Sequence, residues 1–412
     1  MTAPDATADV PSDPASDPMV EVEAGAPADG PLFTPTFALI VVAALGYFTA
    51  LGMHLPVLPR YVEDDLGGGG VAVGVATGAF AVSAALVRPL VGRLGDRLGR
   101  RPLAVVGGGI AAVSILGYGL IESLPALIGF RLLTGLGEAA FFVGVATAAQ
   151  DLSPDHRRAE AASFFSIAIY GGLAIGPFLG ETILHASGAD RVWVVSGVLA
   201  AIGAALALLI PADLGRAEPA AEGAEPARRR LLHPAAVMPG SILLMGLVGM
   251  AAFASFLALH LDDLGVEDAG PFFLLYGVLV LFVRIFGARL PDRMGAKRTT
   301  TISLLAVAAA MAIIAFVDAI PAIYLATAVF AAGMSLLFPA LFGLVVSEAP
   351  AEERSHAVGT FSLFFDLSQG VGAPLLGVVV TLTGTDRSAF AAAALVALAG
   401  LAIARTRLPA HT

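Results

Sequence analysis

The sequence VRPLVGRLGDRLGRR at residues 87–101 has a second version in the same chain, VRIFGARLPDRMGAK at residues 283–297. Matching residues of the two copies are 196 positions apart, as Asp96 and Asp292 are. The same offset relates further identical pairs along the chain: Gly137 and Gly333, Phe142 and Phe338, Pro154 and Pro350, Arg158 and Arg354, Ser166 and Ser362, and Gly176 and Gly372. The chain is therefore predicted to consist of two halves built alike.

The composition places both halves in a membrane. Hydrophobic residues make up 57% of the chain and charged residues 14%, against about 25% charged residues in soluble domains. The mean hydropathy is +0.86. Because about 20 apolar residues cross a hydrocarbon core, the sequence predicts twelve transmembrane helices, at about 34–57, 71–91, 103–121, 124–148, 162–183, 192–210, 237–260, 269–288, 299–317, 321–346, 357–382 and 389–408.

Basic residues predict the orientation, since Lys and Arg are retained on the cytoplasmic side. With both termini inside, seventeen of the 23 basic residues lie in inner loops or the C-terminal tail, and three lie in outer loops, Arg60, Arg191 and Arg387. We expect a multi-pass protein of the cell (inner, cytoplasmic) membrane with cytoplasmic termini. Residues 1–32 contain seven acids and no base, so they are expected to be a disordered acidic tail rather than a signal peptide.

The predicted domains are a first six-helix bundle at 33–210, a cytoplasmic linker at 211–235 and a second bundle at 236–408. The linker ends in Arg228, Arg229 and Arg230, which we interpret as a topology anchor beside a span rather than a nucleic-acid site. The chain has no Cys, which excludes disulfides and thiolate metal sites, and its seven His residues have no metal-site spacing. No metal and no cofactor are predicted, and we expect a monomer in a lipid bilayer.

The first copy of the repeated motif resembles the signature between spans two and three of the major facilitator superfamily. The matching residues are Gly92, Leu94, Asp96, Arg97, Gly99, Arg100 and Arg101. The second copy places Asp292 and Arg293 at equivalent positions. The resemblance implies two six-helix bundles related by a pseudo-twofold axis along the membrane normal, with a central cavity between them. It also implies gating at the inner side, with Asp96 held near Ser355 and Arg97 paired with Asp151. The alternative is a simple topology anchor.

Two spans contain charged residues at depth. Arg131 lies about 12 Å into span four, at 1.5 Å per residue, and Glu138 follows seven residues later on nearly the same helix face. Asp366 lies about ten residues into span eleven. A charge at this depth costs about 2.5–3.5 kcal/mol, so each is expected to have a partner or to face a water-filled cavity. Arg131, Gly135 and Gly137 resemble the span-four signature of the superfamily, which is implicated in proton coupling. The resemblance therefore implies proton coupling through Arg131, Glu138 and Asp366, with Arg131 biasing Glu138. The alternative is a set of permanent ion pairs.

Small residues in span five predict close helix packing. They are Gly172, Gly176, Pro177 and Gly180, and Gly135 and Gly137 are expected to pack in the same way in span four. The span-five run resembles the superfamily signature associated with exporters, but Ser163 and Glu181 stand where that signature has glycine. Export is therefore favoured, and a purely packing role is the alternative.

Aromatic residues and one histidine are the candidates for the substrate cavity. They are His54, Phe142, Tyr170, Phe253, Phe256, Tyr276, Phe338 and Phe365. The function expected from the resemblance is alternating-access transport of a small solute, namely proton-coupled efflux of a drug-like or sugar-like compound. One rival is proton- or sodium-coupled uptake of an organic acid or nutrient, with Arg131 binding the anion. The other is a non-transporting membrane sensor on the same fold. An enzyme is not expected.

Overall fold

The structure is a computed structural model that describes residues 32–154, 157–212, 214, 232–287, 290–350 and 353–408. Within these ranges it leaves out the side chains of Arg93, Asp96, Ala159, Asp292, Arg354 and Ser355. The predicted tail lies outside the described residues except for Leu32, and so does most of the predicted linker.

The first half contains six long helices. They are α1 (Pro35–Arg60), α2 (Gly70–Leu98), α3 (Arg100–Gly117), α4 (Leu124–Asp151), α5 (Arg158–Ser187) and α6 (Ala189–Leu206). The chain enters α1 through an N-cap, since the Thr34 hydroxyl accepts a hydrogen bond from the Phe37 amide at 3.2 Å. A π-helical turn at Tyr61–Asp65 continues α1.

The second half repeats this series. It consists of α7 (Pro234–Asp263), α8 (Gly270–Phe286), a short α9 (Leu290–Met294), α10 (Ala296–Phe316), α11 (Ile320–Glu348), α12 (Arg354–Gly370), α13 (Gly372–Thr383) and α14 (Arg387–Arg407). Among the described residues, eleven helical segments are long and apolar enough to cross a membrane, α12 and α13 forming one of them, and α8 is a shorter apolar helix. The predicted twelve spans are therefore all helical.

Helix packing follows one scheme in both halves. In the first, α1 packs on α5 and α6, α3 packs on α4 and α6, and α2 packs on α4. In the second, α7 packs on α12 and α14, α10 packs on α11 and α14, and α8 packs on α11. The two bundles meet where α2 contacts α12 and α13, where α5 contacts α8, and where α1 contacts α7. This confirms the predicted pair of six-helix bundles.

The repeated motif forms the same sharp break in both halves. Gly99 ends α2 with φ +92°, and Gly295 precedes α10 with φ +79°. Positive φ is costly for residues with a Cβ and open to glycine. The repeated glycine is thus explained by the backbone turn that each half needs between its second and third spans.

Most predicted boundaries fall within one helical turn of the observed ones, with two corrections. The motif was expected to be a turn over 92–101, but α2 continues through Leu98 and only Gly99 interrupts the helix. Span eleven was expected to be continuous, but it breaks between Gly370 and Gly372, where Val371 has φ −108° and ψ −37°.

Backbone contacts between small residues hold α1 against α5. A methyl group on Gly172 would lie 2.6 Å from the Thr49 nitrogen, and one on Gly176 would lie 2.4 Å from the Thr49 oxygen. On Gly180 it would meet the Met53 oxygen at 2.5 Å. In α4, Gly135 approaches Phe80 of α2 in the same way, and Gly137 approaches Gly107 of α3.

We predict that Gly176→Ala destabilises the protein by about 1–3 kcal/mol, because overpacking forces the two backbones apart. Gly46→Ala in α1 is the matched control, since its Cβ would meet nothing within 4 Å. The measurement is the thermal unfolding midpoint of both variants in detergent. Equal midpoints for the two variants would contradict the assignment of Gly176 to a close contact.

Candidate functional site

An arginine that joins two carboxylates from different bundles forms the central charged cluster. Arg88 of α2 places Nη2 3.6 Å from Glu138 Oε2 of α4, and Nη1 3.5 Å from Asp366 Oδ1 of α12. Glu138 and Asp366 are only 5% and 6% exposed. The Arg88 guanidinium also lies 5.5 Å from the centre of the Phe142 ring. We call Arg88, Glu138 and Asp366 the central triad.

Arg131 is not the partner of Glu138, so that prediction is wrong. Its Nε donates to the Ala76 carbonyl at 2.9 Å, Nη2 donates to the Thr77 carbonyl at 3.5 Å, and the guanidinium lies 4.9 Å from the Phe80 ring centre. Arg131 thus points at α2 within the first bundle. Sequence reasoning missed Arg88 because it stands near the end of a span, although the repeat pairs it with Arg284.

At the face where α1 begins, a salt bridge joins α3 to α4. Asp151 Oδ2 lies 3.0 Å from the Nε of Arg100, and not of Arg97 as predicted, because Arg97 lies in the last turn of α2 and is exposed. The side chains of Asp96 and Asp292 lie outside the described residues. Gly92 and Arg97 belong to α2, Arg101 belongs to the first turn of α3, and Arg293 belongs to α9.

At the opposite face, Arg60 at the end of α1 joins the bundles. It pairs with Glu181 of α5 and with Asp262 of α7, the latter through two hydrogen bonds of 2.6 and 2.7 Å. Nη2 also donates to the Glu267 carbonyl at 2.8 Å. We call Arg60, Glu181 and Asp262 the latch. The one residue of the latch that the sequence singled out was Glu181, because it stands where the exporter signature has glycine.

Glu181 is also the one residue of the latch in a group with metal-ligand geometry. Glu181, His185 and Asp268 each bring one ligand atom within 4.8 Å of the others. Glu181 is already paired with Arg60 and lies 3.2 Å from His185 Nε2. These partners account for the arrangement without a metal.

A cavity of about 490 Å³ lies between the bundles, toward the face where α5 begins and α8 ends. Tyr170 and Ser166 of α5, Arg284 of α8 and Ser335 of α11 supply polar groups to its wall. Arg284 Nη2 donates to the Tyr170 hydroxyl at 2.8 Å, and its guanidinium stacks 3.9 Å from the ring centre. In the described structure the bundles are thus joined by the latch at one face and separated by the cavity toward the other face.

Of the eight residues predicted for a cavity, Tyr170 lines this one. His54 is buried inside the first bundle, where Nε2 lies 3.1 Å from the Ser196 hydroxyl and the ring packs on Trp193. Phe253 and Phe256 are buried within the second bundle. None of these three lines this cavity, so their role in a substrate cavity stays a prediction.

The other four predicted residues lie in aromatic clusters. Tyr276 packs on Phe253 and Phe330 in the second bundle. Phe142 packs beside Arg88 of the central triad. Phe338 and Phe365 have ring centres 6.3 Å apart, and Phe365 precedes Asp366 of the triad.

Asp386 lies at the latch face, and its raised pKa predicts that the stability of the folded protein depends on pH. Burial, together with the nearby carboxylates of Glu63, Asp263 and Asp262, raises its pKa to about 7. The folded state therefore binds a proton that the unfolded state has released between about pH 4 and 7, so stability is full at low pH and is lost as the pH rises through that window.

We expect Asp386→Asn to remove this loss, which is on the order of 1–2 kcal/mol for a half-buried group in partial contact with water. The measurement is the unfolding midpoint of the wild type and of the variant in detergent from pH 4 to 8. The unfolding midpoint of the variant should rise relative to that of the wild type as the pH rises. A constant difference across the range would show that Asp386 titrates normally.

Comparisons with known proteins agree with this architecture. The sequence profile of the Major Facilitator Superfamily matches residues 40–372 and 272–412. A Salmonella typhimurium protein described as an uncharacterized MFS-type transporter is 29% identical over 385 residues, which are 91% of this chain and 97% of that protein.

Two solved structures have the same fold. The crystal structure of the nucleoside transporter NupG superposes with a TM-score of 0.70 at 16% identity, covering 90% of this chain and 99% of that one. The human organic anion transporter MFSD10 gives a TM-score of 0.66 at 19% identity, covering 90% and 100%. Taken with the two repeated six-helix bundles, the profile match leads to one conclusion: the chain belongs to the Major Facilitator Superfamily of membrane transporters.

Proposed function

We propose that this transporter exports a small drug-like or sugar-like solute in exchange for protons, and that the central triad is the proton-coupling site. The observation that carries the proposal is that one arginine serves two buried carboxylates. Arg88 supplies one positive charge, and Glu138 and Asp366 supply two negative charges when both are ionised. One added proton brings the triad to neutrality.

The position of the triad couples that proton to the movement of the bundles. Arg88 and Glu138 belong to the first bundle and Asp366 to the second, so the ion pair between Arg88 and Asp366 is the part of the triad that crosses the boundary. Charges attract strongly at low dielectric. Protonation of Asp366 would release Arg88 to Glu138 and weaken the contact between α2 and α12, which would favour separation of the two bundles at this boundary.

Further observations support an orientation and a direction. The basic loops favour a cytoplasmic position for the face where α1 begins, and in this orientation the latch is on the outer side and the 490 Å³ cavity faces inward. Export is supported by the small-residue contact of α5 with α1, which resembles the exporter signature. A monomer in the inner membrane suffices for this cycle.

Proton-coupled uptake of an organic acid is the second candidate. It is favoured by Arg284, a cavity-lining cation that lies within ion-pair distance of no carboxylate among the described residues. Proton flux relative to substrate flux separates the two candidates, since exchange moves protons against the substrate and uptake moves both together.

We predict that Glu138→Gln abolishes proton coupling. With Gln at position 138 the triad is already neutral, and a released Arg88 has no carboxylate in its own bundle to move to. Substrate-dependent pH change in proteoliposomes should therefore fall at least about tenfold, the effect of losing a charge-assisted interaction. Exchange of substrate for substrate without a pH gradient should persist. The assay uses an internal pH dye with ethidium, arabinose or benzoate as trial substrates.

Glu122→Gln serves as the control, because Glu122 is an exposed acid in the loop before α4. It should couple like the wild type. Normal pH change in Glu138→Gln would refute the proposed coupling site while leaving the family assignment intact.

The latch gives a second prediction, that Asp262→Asn favours opening at its face. Removal of one of the two acids that hold Arg60 weakens the link between α1 and α7. The chain has no Cys, so a single Cys can report on opening without a background. Val380→Cys in α13 is buried against Gly70 of α2 and should react faster with a membrane-impermeant maleimide when Asp262→Asn is added.

We expect a rate increase of about three- to tenfold, corresponding to about 1 kcal/mol of lost ion pairing. Thr385→Cys in the exposed loop after α13 should react equally in both backgrounds. An unchanged rate at position 380 would mean that the latch does not control opening.

A further inference from the structure

We infer that Arg284 and Tyr170 form an anion subsite in the cavity, and that the drug-like solute of the proposed function is a small organic acid whose carboxylate, phosphonate or sulfonate group binds there, whether it is exported or taken up. The inference rests on the proposed function only in naming the transported solute as the occupant. Binding of an organic acid at Arg284 can be measured without transport.

The first argument is the asymmetry of the repeat. The 196-residue offset relates Arg88 to Arg284, Tyr170 to Asp366 and Glu138 to Met334. Both arginines reach across to the other bundle at equivalent positions, Arg88 to Asp366 and Arg284 to Tyr170. Arg88 faces two acids, Glu138 of its own half and Asp366 of the other half. At the equivalent positions Arg284 has Met334 of its own half and Tyr170 of the other half, and no carboxylate among the described residues lies within ion-pair distance of it.

The second argument is the hydrogen bonding of the guanidinium. Arg284 makes one hydrogen bond to a described residue, from Nη2 to the Tyr170 hydroxyl, and its Nε is buried without a partner. A cation within a membrane span costs about 2.5–3.5 kcal/mol unless it is paired. Arginine offers a planar fork that matches a carboxylate or phosphonate. The guanidinium donors that Tyr170 leaves free can thus receive an anion from the cavity.

The third argument is the chemistry of the cavity around this fork. Tyr170 accepts from Arg284 and keeps its own O–H for donation, and the Ser166 hydroxyl one turn earlier on α5 makes no hydrogen bond to a described residue. Ile167, Leu281 and Leu336 supply apolar walls. About 490 Å³ lies within the range of small-molecule sites. The cavity therefore fits an organic acid with an apolar body.

The test measures ligand binding by the full-length protein in detergent. Benzoate and phenylphosphonate are compared with neutral benzamide through the shift in unfolding midpoint at rising ligand concentration. We expect the two acids to stabilise the wild type and benzamide to have little effect. Arg284→Gln should remove the acid-specific shift, and Arg284→Lys should weaken apparent affinity about tenfold because it loses the fork. Tyr170→Phe should weaken it less.

Equal shifts with acid and amide, no shift with either acid, or a full acid shift in Arg284→Gln would overturn the inference. A phospholipid headgroup presents the same chemistry, so phosphatidylglycerol in mixed micelles is a separate arm. Stabilisation by this lipid and by neither soluble acid would assign the subsite to lipid and would also overturn it.

A ligand-free comparison checks the charge argument independently. Arg284→Gln removes an unpaired cation and should leave the unfolding midpoint unchanged or higher, whereas Arg88→Gln strands two buried acids and should lower it. If both variants lowered the unfolding midpoint equally, the proposed difference in charge balance between Arg88 and Arg284 would be contradicted. If Glu138→Gln retains proton coupling while Arg284→Gln loses acid binding, the proposed coupling fails and the subsite stands.

Discussion

The balance of charge across the boundary between the two bundles is the constraint on which the rest of this structure depends. Hydrocarbon offers no counter-ions, so each charge inside a span must find a partner in protein or in a water-filled cavity. Arg88, Glu138 and Asp366 meet that requirement only together, since they come from three helices and two bundles. Packing of α12 against α2 is therefore an electrostatic as well as a steric necessity.

Gene duplication explains why the two halves share one scaffold. Divergence at a few positions explains why the charged residues of the two halves have different partners. The two halves keep the same packing scheme and the same positive-φ glycine after the repeated motif. They differ where chemistry is concentrated: one arginine faces acids, and its counterpart faces Tyr170 in the cavity. A symmetric framework thus holds one arginine beside two carboxylates and the equivalent arginine beside a tyrosine, with no carboxylate within ion-pair distance of the second among the described residues.

Sequence alone predicts the scaffold well because each span is a local pattern of apolar residues and because the repeat fixes their correspondence. It predicts that Glu138 and Asp366 matter, since acids at depth are rare. It does not predict the partners of Arg131 and His54, because Ala76 and Ser196 come from other helices. Arg88 could have been found from the offset, which relates it to Arg284. Asp151 pairs with Arg100 and not with Arg97 because α2 continues through Leu98. Arg97 therefore lies on a different face of α2 from the one expected for a loop residue.

The contact between α2 and α13 has an electrical consequence. A methyl group on Gly74 would lie 2.3 Å from the Ala373 oxygen, and one on Gly377 would lie 2.2 Å from the Gly70 oxygen, so backbone touches backbone along this seam. At these two points the helices themselves must separate before water can enter. Each proton that leaked through would dissipate about 2.3 kcal/mol per 100 mV of membrane potential. The seam therefore limits proton leakage through the transporter and so preserves the membrane potential.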